Sequence, residues 1–476
     1  MQDVLTKTLD CLLISPSIFY NDKENIWKEI NSNFPPLGLA SIASFVRANN
    51  FSVNLIDCNI YAPSVESFEA YFRESCVAAY DSVRLIGITS FTFNIKKALN
   101  IAAICKKHYP KVTIIVGGCH ATAMPEDVLK DRSVDIICIG EGELTFLELL
   151  QERPLSDIKG IVYKDLNGLI ITTPPRPRIK DIDQLPMPAY DLLPILKYQP
   201  AKGSYKRLPA MSMVTSRGCP GRCTFCFKTL GDQLVFKSAE KIFEEIIFLV
   251  KNYGIKQILF YDDTFTVYKK NVVRLCDLIV ENNIDISWTC FARVDFVDKD
   301  MLLKMKQAGC HQIMYGIENI DQTVLDNINK KINTEQVMRA VTWTKAAGIE
   351  CRLAFMVGNP GDTEEIIRKN IEFINTLDPD LVIINIATPL PGTAMFKWAK
   401  EHDLILTYNW DDYTLATPVM RLENLTVQQI KDLYKLMYRS FYFRPSYMLR
   451  QLFSIRSWND VARLCSGLKA LLSFFR

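Results

Sequence analysis

The sequence predicts an α/β protein with two parallel-sheet domains in series, a proline-rich connector between them and a helical C-terminal tail. Two observations predict this class: short apolar runs alternate with amphipathic stretches, and the alternation recurs on both sides of the connector. The composition agrees, because 49% hydrophobic and 23% charged residues in a chain of 476 are globular values. The net charge is only +3, so no nucleic-acid partner is expected.

Residues 1–150 are predicted to form a doubly wound domain of the Rossmann or flavodoxin type. Its strands are expected at Cys11–Ile14, Phe51–Ile56, Val83–Ile88, Val112–Val116 and Val134–Ile139. Ligands of such domains bind at the carboxyl ends of the strands. Glycines in those loops usually serve tight turns, but they also suit the close approach of a flat or phosphate-bearing ligand.

Residues 151–205 break the alternation with a series of prolines, which cannot continue helices or central strands. We expect an extended connector there. From 206 to 430 the alternation resumes on a longer period, and six β/α units predict a partial (β/α)6 barrel of the TIM type. The barrel strands are expected at Met211–Thr215, Gln257–Tyr261, Ile286–Cys290, Gln312–Tyr315, Glu350–Met356 and Leu381–Ile386.

The tail from 431 to 476 is basic and rich in aromatic residues. Such a helical segment could lie on an anionic membrane surface or line an apolar substrate pocket. The alternative is a helix packed on the barrel. No signal peptide and no spanning segment is visible, so the sequence predicts a cytoplasmic protein whose fourteen cysteines stay reduced.

Three cysteines, Cys219, Cys223 and Cys226, follow the first barrel strand at the spacing C-x3-C-x2-C. Three thiolates this close repel one another unless a cation or a cluster neutralises them, so a soft metal centre is expected. Structural zinc usually takes four protein ligands, and no fourth Cys or His follows nearby. An iron–sulfur cube would keep one iron open. The alternative is three unrelated core cysteines.

The motif C-x3-C-x-aromatic-C resembles that of the radical S-adenosylmethionine (SAM) enzymes. The resemblance implies that the three cysteines hold a [4Fe-4S] cluster and that the open iron binds SAM, which is cleaved to a 5′-deoxyadenosyl radical. It implies SAM contacts from Phe225, Asp262 or Asp263, Arg293 and Glu318. The pair Asp262–Asp263 stands where the family often has Gly-Gly-Glu, and a carboxylate there would hold the SAM ammonium.

The N-terminal domain resembles the cobalamin-binding domain that is fused to one large radical SAM class. This resemblance implies cobalamin contacts from eleven residues of its loops: Leu37, Gly38, Ser90, Phe91, Gly117, Gly118, His120, Thr122, Gly140, Glu141 and Gly142. The loop after the first strand lacks the histidine that ligates cobalt in many cobalamin proteins. His120 follows the fourth strand instead, where a hydrogen-bonding role is expected rather than cobalt ligation.

The resemblance therefore implies a cobalamin-dependent radical SAM enzyme that methylates an unactivated carbon. The alternatives are cyclisation or rearrangement without methyl transfer, or a non-catalytic iron–sulfur redox or cobalamin-sensing protein. A low-potential electron donor such as flavodoxin or ferredoxin would be a partner. The substrate, whether a small molecule, a lipid or a peptide, is not encoded in any motif of the sequence.

Overall fold

The computed structural model describes residues 7–18, 33–201, 203–228 and 230–453. Strands β1 to β7 belong to an N-terminal sheet, β8 and β11 to β15 form the barrel, and β9 and β10 form a small hairpin. Their bounds are β1 Thr8–Ser15, β2 Val53–Asp57, β3 Ser82–Thr89, β4 Thr113–Gly117, β5 Ile136–Cys138, β6 Ile161–Lys164, β7 Ile170–Thr172, β8 Ala210–Met213, β9 Ser216–Arg217, β10 Val235–Phe236, β11 Gln257–Phe260, β12 Ser287–Ala292, β13 Cys310–Glu318, β14 Glu350–Val357 and β15 Leu381–Ile386.

Helices cover the faces of the N-terminal sheet and the outside of the barrel. The first seven are α1 Leu37–Ala48, α2 Cys58–Tyr61, α3 Val65–Phe72, α4 Ile95–His108, α5 Cys119–Ala123, α6 Pro125–Leu129 and α7 Glu143–Leu150. The others are α8 Ala239–Tyr253, α9 Lys269–Glu281, α10 Lys299–Gln307, α11 Gln322–Asn327, α12 Thr334–Ala346, α13 Glu364–Leu377, α14 Ala394–Glu401, α15 Val427–Tyr442 and α16 Pro445–Phe453.

The N-terminal sheet confirms the predicted doubly wound class. Its strand order is β2-β1-β3-β4-β5-β6-β7, and the first five strands are parallel. The order 2-1-3-4-5 is that of flavodoxin-like domains, whose ligands bind where the order reverses, here between β1 and β3. The loops that follow these strands are therefore correctly placed to form a cofactor site.

The segment predicted as a connector contributes more structure than expected. Strands β6 and β7 lie within it and extend the N-terminal sheet in antiparallel fashion. Further along, the connector is fixed to both domains: the Tyr198 hydroxyl donates to Asp57 at 2.8 Å, and the Tyr190 hydroxyl donates to Glu245 of α8. Prolines flank β6 and β7 rather than interrupting them, so the composition of the segment concealed two short strands.

The barrel confirms all six predicted strands. Their order is β15-β14-β13-β12-β11-β8, and every neighbouring pair is parallel. One continuous apolar core joins the barrel helices to one face of the N-terminal sheet, while a second core covers the opposite face of that sheet. The two domains are thus packed against each other through the shared core.

The tail is helical as predicted, and its first helix packs on the barrel. In α15, Tyr434, Tyr438 and Phe441 are buried, and the Tyr438 hydroxyl bonds both the N–H and the C=O of Ile384 on the edge strand β15. For this first helix of the tail, the contacts support the alternative in which the helix packs on the barrel. Residues 454–476 lie outside the described part of the chain.

Candidate active site at the barrel mouth

The three cysteines lie in a loop at the carboxyl end of β8, as the sequence predicts. Backbone hydrogen bonds hold this loop: Thr224 donates to the carbonyl of Ile328 at 2.9 Å, and Met395 of α14 donates to the carbonyl of Thr224 at 2.8 Å. Cys219 and Cys223 are half-buried, and Cys226 is exposed. The thiols therefore stand at the barrel mouth on a loop that is fixed from two sides.

The surroundings of Cys223 and Cys226 raise the pKa of both thiols. Desolvation by burial raises the pKa of Cys223, while the cations Lys330 and Arg293 lower it. Desolvation of the Cys226 sulfur, followed by the charges of Asp263, Cys223 and Cys219, raises the pKa of that thiol to about 12, although the residue as a whole is exposed. Thiolates at these positions need a positive counter-charge.

The donor set fits an iron–sulfur cluster. Three cysteine sulfurs in one loop are soft donors, and thiolate ligands of this kind are typical of such clusters. Cys219, Cys223 and Cys226 would hold such a cluster.

The two predicted aspartates are in different environments. Asp262 is 1% exposed and accepts hydrogen bonds from Thr215 N and Oγ1, at 2.8 and 3.0 Å, and from Ser216 Oγ. Burial raises the pKa of Asp262 to about 6, against the lowering effect of these bonds. Asp263 is exposed and lies within electrostatic reach of Cys226. Asp262 therefore fixes the loop that leads to the cysteines, and Asp263 is the carboxylate available to an ammonium group.

Arg293 follows β12 and is oriented by Asp295. Its guanidinium makes two bonds to that carboxylate, at 3.0 and 2.9 Å, and a third to the carbonyl of Lys330 at 3.0 Å. All three bonds use Nε and Nη2, while Nη1 lies on the side of Gly221 in the cysteine loop. Arg293 therefore has a donor atom beside the thiols.

Glu318 ends β13 in an unusual backbone conformation. Its φ is +68°, and the register to β14 shifts between Gly316 and Glu318. A bulge of this kind redirects the side chain that follows it. The carboxylate meets Lys330 Nζ at 3.0 Å, and both residues are buried. Lys330 Nζ also lies 5.9 Å from the centre of the Phe225 ring, within the cysteine motif.

Sequence reasoning missed two residues of this site, Lys330 and Arg217. Lys330 follows α11. Its ammonium group contacts Glu318 and Phe225, and its backbone carbonyl accepts from the Arg293 side chain. No local motif marks it, because all its partners are distant in sequence. Arg217 stands two positions before Cys219, and its partners lie in the other domain.

Arg217 joins the cysteine loop to the N-terminal domain. Its Nη1 lies 2.7 Å from Glu141 Oε1 and its Nη2 lies 2.6 Å from Glu143 Oε1. Ser41 Oγ also donates to Glu143 at 2.8 Å. All three charged side chains are largely buried. The carboxyl-end loop after β5 is therefore held against the loop that carries the thiols.

The glycines of the N-terminal loops serve different purposes. At Gly118, with φ at +91°, a Cβ would come within 2.6 Å of the Ser90 carbonyl. At Gly142 it would come within 2.5 Å of the Ile42 side chain, so that glycine permits helix packing. At Gly38 and Gly140, a Cβ would have no atom of the described residues within 4 Å. A backbone surface open to a flat ligand is thus present at Gly38 and Gly140 but not at Gly142.

His120 is held inside the domain. Its Nδ1 lies 3.3 Å from Thr92 Oγ1, and its ring packs on Trp410 with 5.1 Å between ring centres. Burial lowers the pKa of His120 to about 4. Nearby, Thr122 Oγ1 accepts from the N–H of Gly140 at 3.2 Å. The buried, neutral imidazole agrees with a packing role in the loop.

The other predicted cobalamin residues stand at the same edge of the sheet. Ser90 is fully buried, and its hydroxyl donates to the carbonyl of Gly117 at 2.9 Å, which ties the β3 loop to the β4 loop. Phe91 is 42% exposed and Leu37 is half-buried at the start of α1. Glu141 is engaged by Arg217, so its carboxylate serves the domain contact. The cobalamin contacts of all eleven residues stay predictions.

Comparison with known proteins identifies both halves of the chain. Residues 213–374 match the radical SAM superfamily, and residues 26–150 match the B12 binding domain. An uncharacterized methyltransferase of Pyrococcus horikoshii is 36% identical, over 94% of this chain and 95% of that protein. The chain belongs to the radical SAM superfamily, in the class that carries a B12-binding domain.

Other members of this class are more distant. The anaerobic magnesium-protoporphyrin IX monomethyl ester cyclase of Rubrivivax gelatinosus is 27% identical, over 88% of this chain and 76% of that protein. The radical SAM methyltransferase TsrM of Kitasatospora setae, solved with cobalamin and a [4Fe-4S] cluster, has a TM-score of 0.70 at 14% identity. The alignment covers 99% of this chain and 100% of that one, and it demonstrates the shared fold.

The family assignment confirms several expectations from the sequence. The chain is a B12-binding radical SAM enzyme, and the [4Fe-4S] cluster, SAM and cobalamin are the cofactors of its class. Enzymes of the superfamily act on small molecules and require a reductant. No helix in the described part of the chain is long and apolar enough to cross a membrane. The individual SAM and cluster residues remain predictions.

Proposed function

We propose that this radical SAM enzyme transfers a methyl group to an unactivated carbon of its substrate. One observation carries the proposal: Arg217 holds the cofactor edge of the B12-binding domain against the loop of the cluster cysteines. A bound cluster would supply an electron for SAM cleavage, and bound cobalamin would supply a methyl group at the same barrel mouth. The resemblance over most of the chain to a named methyltransferase supports this function.

The residues of the mouth have roles that follow from their contacts. Asp263 would accept the SAM ammonium, because it is the exposed carboxylate beside Cys226. Arg293 would donate through Nη1 to the SAM carboxylate, while Asp295 fixes the guanidinium. Glu318, turned by its bulge and held by Lys330, would accept from the ribose hydroxyls. Phe225 would contact the adenine.

The domain contact has a second consequence. The Arg217 network is buried, so it excludes water between the two cofactor regions. Radical chemistry needs such exclusion, because solvent and oxygen quench reactive intermediates.

We further propose a flavodoxin or ferredoxin as electron donor and a cytoplasmic location, where the reduced thiols would persist. A membrane contact through α15 is disfavoured, because its aromatic side chains are buried in the barrel.

The experiment that tests the proposal measures the products of SAM. Protein purified without oxygen and loaded with iron, sulfide and cobalamin is given SAM and a low-potential reductant. A methyltransferase of this kind is expected to release both 5′-deoxyadenosine and S-adenosylhomocysteine, because one SAM molecule would be cleaved to the radical and a second would be the source of the methyl group that bound cobalamin would supply. A cyclase, the second candidate supported by the Rubrivivax relative, would release 5′-deoxyadenosine alone.

Cysteine variants provide the matched control. The combined variant Cys219→Ala, Cys223→Ala and Cys226→Ala should lose the bound iron and both products. Cys276→Ala should retain them, because that thiol is buried in α9 among barrel core residues. Retention of iron in the triple variant, or absence of 5′-deoxyadenosine from the loaded wild-type enzyme, would contradict the proposed function.

A further inference from the structure

Arg352 is a cation inside the barrel with no anionic partner among the described residues. Within this part of the chain, its buried Nε has no hydrogen-bond partner and no carboxylate lies within ion-pair distance of its guanidinium. The phenol groups of Tyr261, Tyr438 and Tyr442 lie within electrostatic reach of the Arg352 guanidinium. Burial lowers the pKa of Arg352. Desolvating part of a guanidinium without a counter-charge is costly, so a protein keeps such a cation where a ligand supplies the opposite charge.

The sheet register places Arg352 on the inner face of the barrel. Phe291 of β12 pairs with Met314 of β13, and Met314 pairs with Arg352 of β14, so the three side chains form one row on one face. Their neighbours along the strands, such as Ile313 and Leu353, are fully buried in the core against the helices. The row therefore points to the interior of the barrel.

The described residues leave this part of the interior incompletely filled. Phe291, Met314 and Arg352 are each only half-buried, whereas a closed barrel fills its interior with packed side chains. Tyr261 continues the same surface, with its ring centre 5.1 Å from that of Phe291 and 5.0 Å from that of Phe34. This inner surface thus combines aromatic side chains with a cation that has no ion-pair partner in the described ranges.

The row lies directly below the cofactor site. Gly316 and Glu318 continue the inner face of β13 beyond Met314 toward the barrel mouth. Two strand residues span about 7 Å, so the row lies within reach of a molecule bound between it and the mouth. On the adjacent strand β15, Asn385 has a buried Oδ1 without a hydrogen-bond partner among the described residues, which is a further polar atom available on this side of the sheet.

We propose that Arg352 binds an oxyanion, a carboxylate or a phosphate, of a substrate whose apolar body lies against Phe291, Met314 and Tyr261. The inference rests on the proposed function, since it assumes that the substrate enters the barrel below SAM. Guanidinium is the side chain best suited to such an anion, because its planar donors match the oxygens in pairs. The substrate would be an amphipathic anion.

The test uses three probes that share a phenyl ring: phenyl phosphate, 3-phenylpropionate and the uncharged 3-phenylpropionamide. Calorimetric titration of the cofactor-loaded wild-type enzyme should show that at least one anion binds ten-fold or more tightly than the amide. The phosphate and the carboxylate probes distinguish the two oxyanions. Equal binding of amide and anions would overturn the proposal without requiring any variant.

Variants then assign the effect to Arg352. Arg352→Gln should lose the preference for the anion, and Arg352→Lys should keep part of it, because the charge remains without the planar fork. The control Arg368→Gln removes an exposed arginine that pairs with Glu364 on α13 and should leave binding unchanged. An unaltered anion preference in a folded Arg352→Gln enzyme would also overturn the proposal. Production of 5′-deoxyadenosine by the wild type is scored separately, so failure of the proposed function remains distinguishable.

Discussion

Asp262 and Asp263 are adjacent in sequence but are expected to respond differently to the same substitution. Asp263→Asn should raise the KM for SAM ten-fold or more and leave the melting temperature unchanged, because the exposed carboxylate makes no hydrogen bond with any described residue. Asp262→Asn should lower the free energy of unfolding by about 1–3 kcal/mol, because an amide cannot accept all the donors of Thr215 and Ser216. SAM titration and urea unfolding separate the two effects, and a reversed pattern would exchange the assigned roles.

His311 on β13 offers a test that is independent of the cofactors. It is buried, neither ring nitrogen has a hydrogen-bond partner among the described residues, and burial lowers its pKa to about 4. Between pH 4 and the ordinary value of 6.5 the unfolded chain binds more protons, so stability falls as pH falls through this window.

His311→Leu should remove up to about 3 kcal/mol of that acid-side loss, since each pKa unit corresponds to about 1.4 kcal/mol. At pH 7 the variant should be as stable as the wild type or more so, because two unsatisfied nitrogens are removed. Urea unfolding of both proteins at pH 5 and pH 7 checks this. The same pH dependence in both would mean that His311 is solvated in solution.

At the residue scale, the sequence predicts best where chemistry is local. The cysteine trio is recognisable because its three thiols lie within eight residues of chain, Cys219 to Cys226, at the spacing C-x3-C-x2-C. Lys330 and Arg217 escaped prediction because their partners are supplied by the fold: Lys330 meets Glu318 across a bulge, and Arg217 meets Glu141 in another domain. The choice between Asp262 and Asp263 also required the structure, since only burial separates them.

At the element scale, α15 takes the place of a further strand beside β15. Tyr438 and Tyr442 stand one helical turn apart, and their hydroxyls bond the backbone of Ile384 and Val382 on the strand edge. An uncovered edge strand invites pairing with other chains. The helix therefore closes the open side of the partial barrel with side-chain hydroxyls.

Tyr438→Phe should lower the free energy of unfolding by about 1–3 kcal/mol, because two buried backbone groups of Ile384 lose their partner. The matched control is Tyr408→Phe, since Tyr408 is 55% exposed and its loss should have little effect. Urea unfolding measures both variants. Equal stability of Tyr438→Phe and wild type would mean that water replaces the hydroxyl at the edge.

The elements themselves were largely predictable. The barrel strands are short apolar runs, and the helices between them repeat apolar residues with helical periodicity. These patterns of hydrophobic residues predict both kinds of element well. The strands β6 and β7 were missed because they are four and three residues long and stand among prolines. The aromatic tail was ambiguous because a buried helix and a membrane-surface helix share one apolar face, and only the contacts of Tyr438 with β15 distinguish them.

At the scale of the whole molecule, the alignment of the two domains against each other depends on the buried contacts of Arg217 with Glu141 and Glu143. Arg217→Met removes the cation and leaves Glu141 and Glu143 as buried carboxylates without it. Removing one partner of a buried ion pair lowers the free energy of unfolding by about 3–5 kcal/mol, because the remaining charge is uncompensated. Thermal unfolding of the variant should therefore begin at a lower temperature and separate into two transitions, one for each domain.

Arg207→Met is the control for this experiment, because Arg207 makes a similar two-point contact with Asp285 at an exposed position. Water readily replaces the arginine of an exposed ion pair, so the unfolding curve of Arg207→Met should match that of the wild type. In the Arg217 variant the products of SAM should also change in ratio: 5′-deoxyadenosine depends on the barrel mouth alone, whereas S-adenosylhomocysteine requires cobalamin to be held beside it. A variant that unfolds in one transition and keeps the wild-type ratio of products would show that the shared apolar core aligns the domains without the arginine.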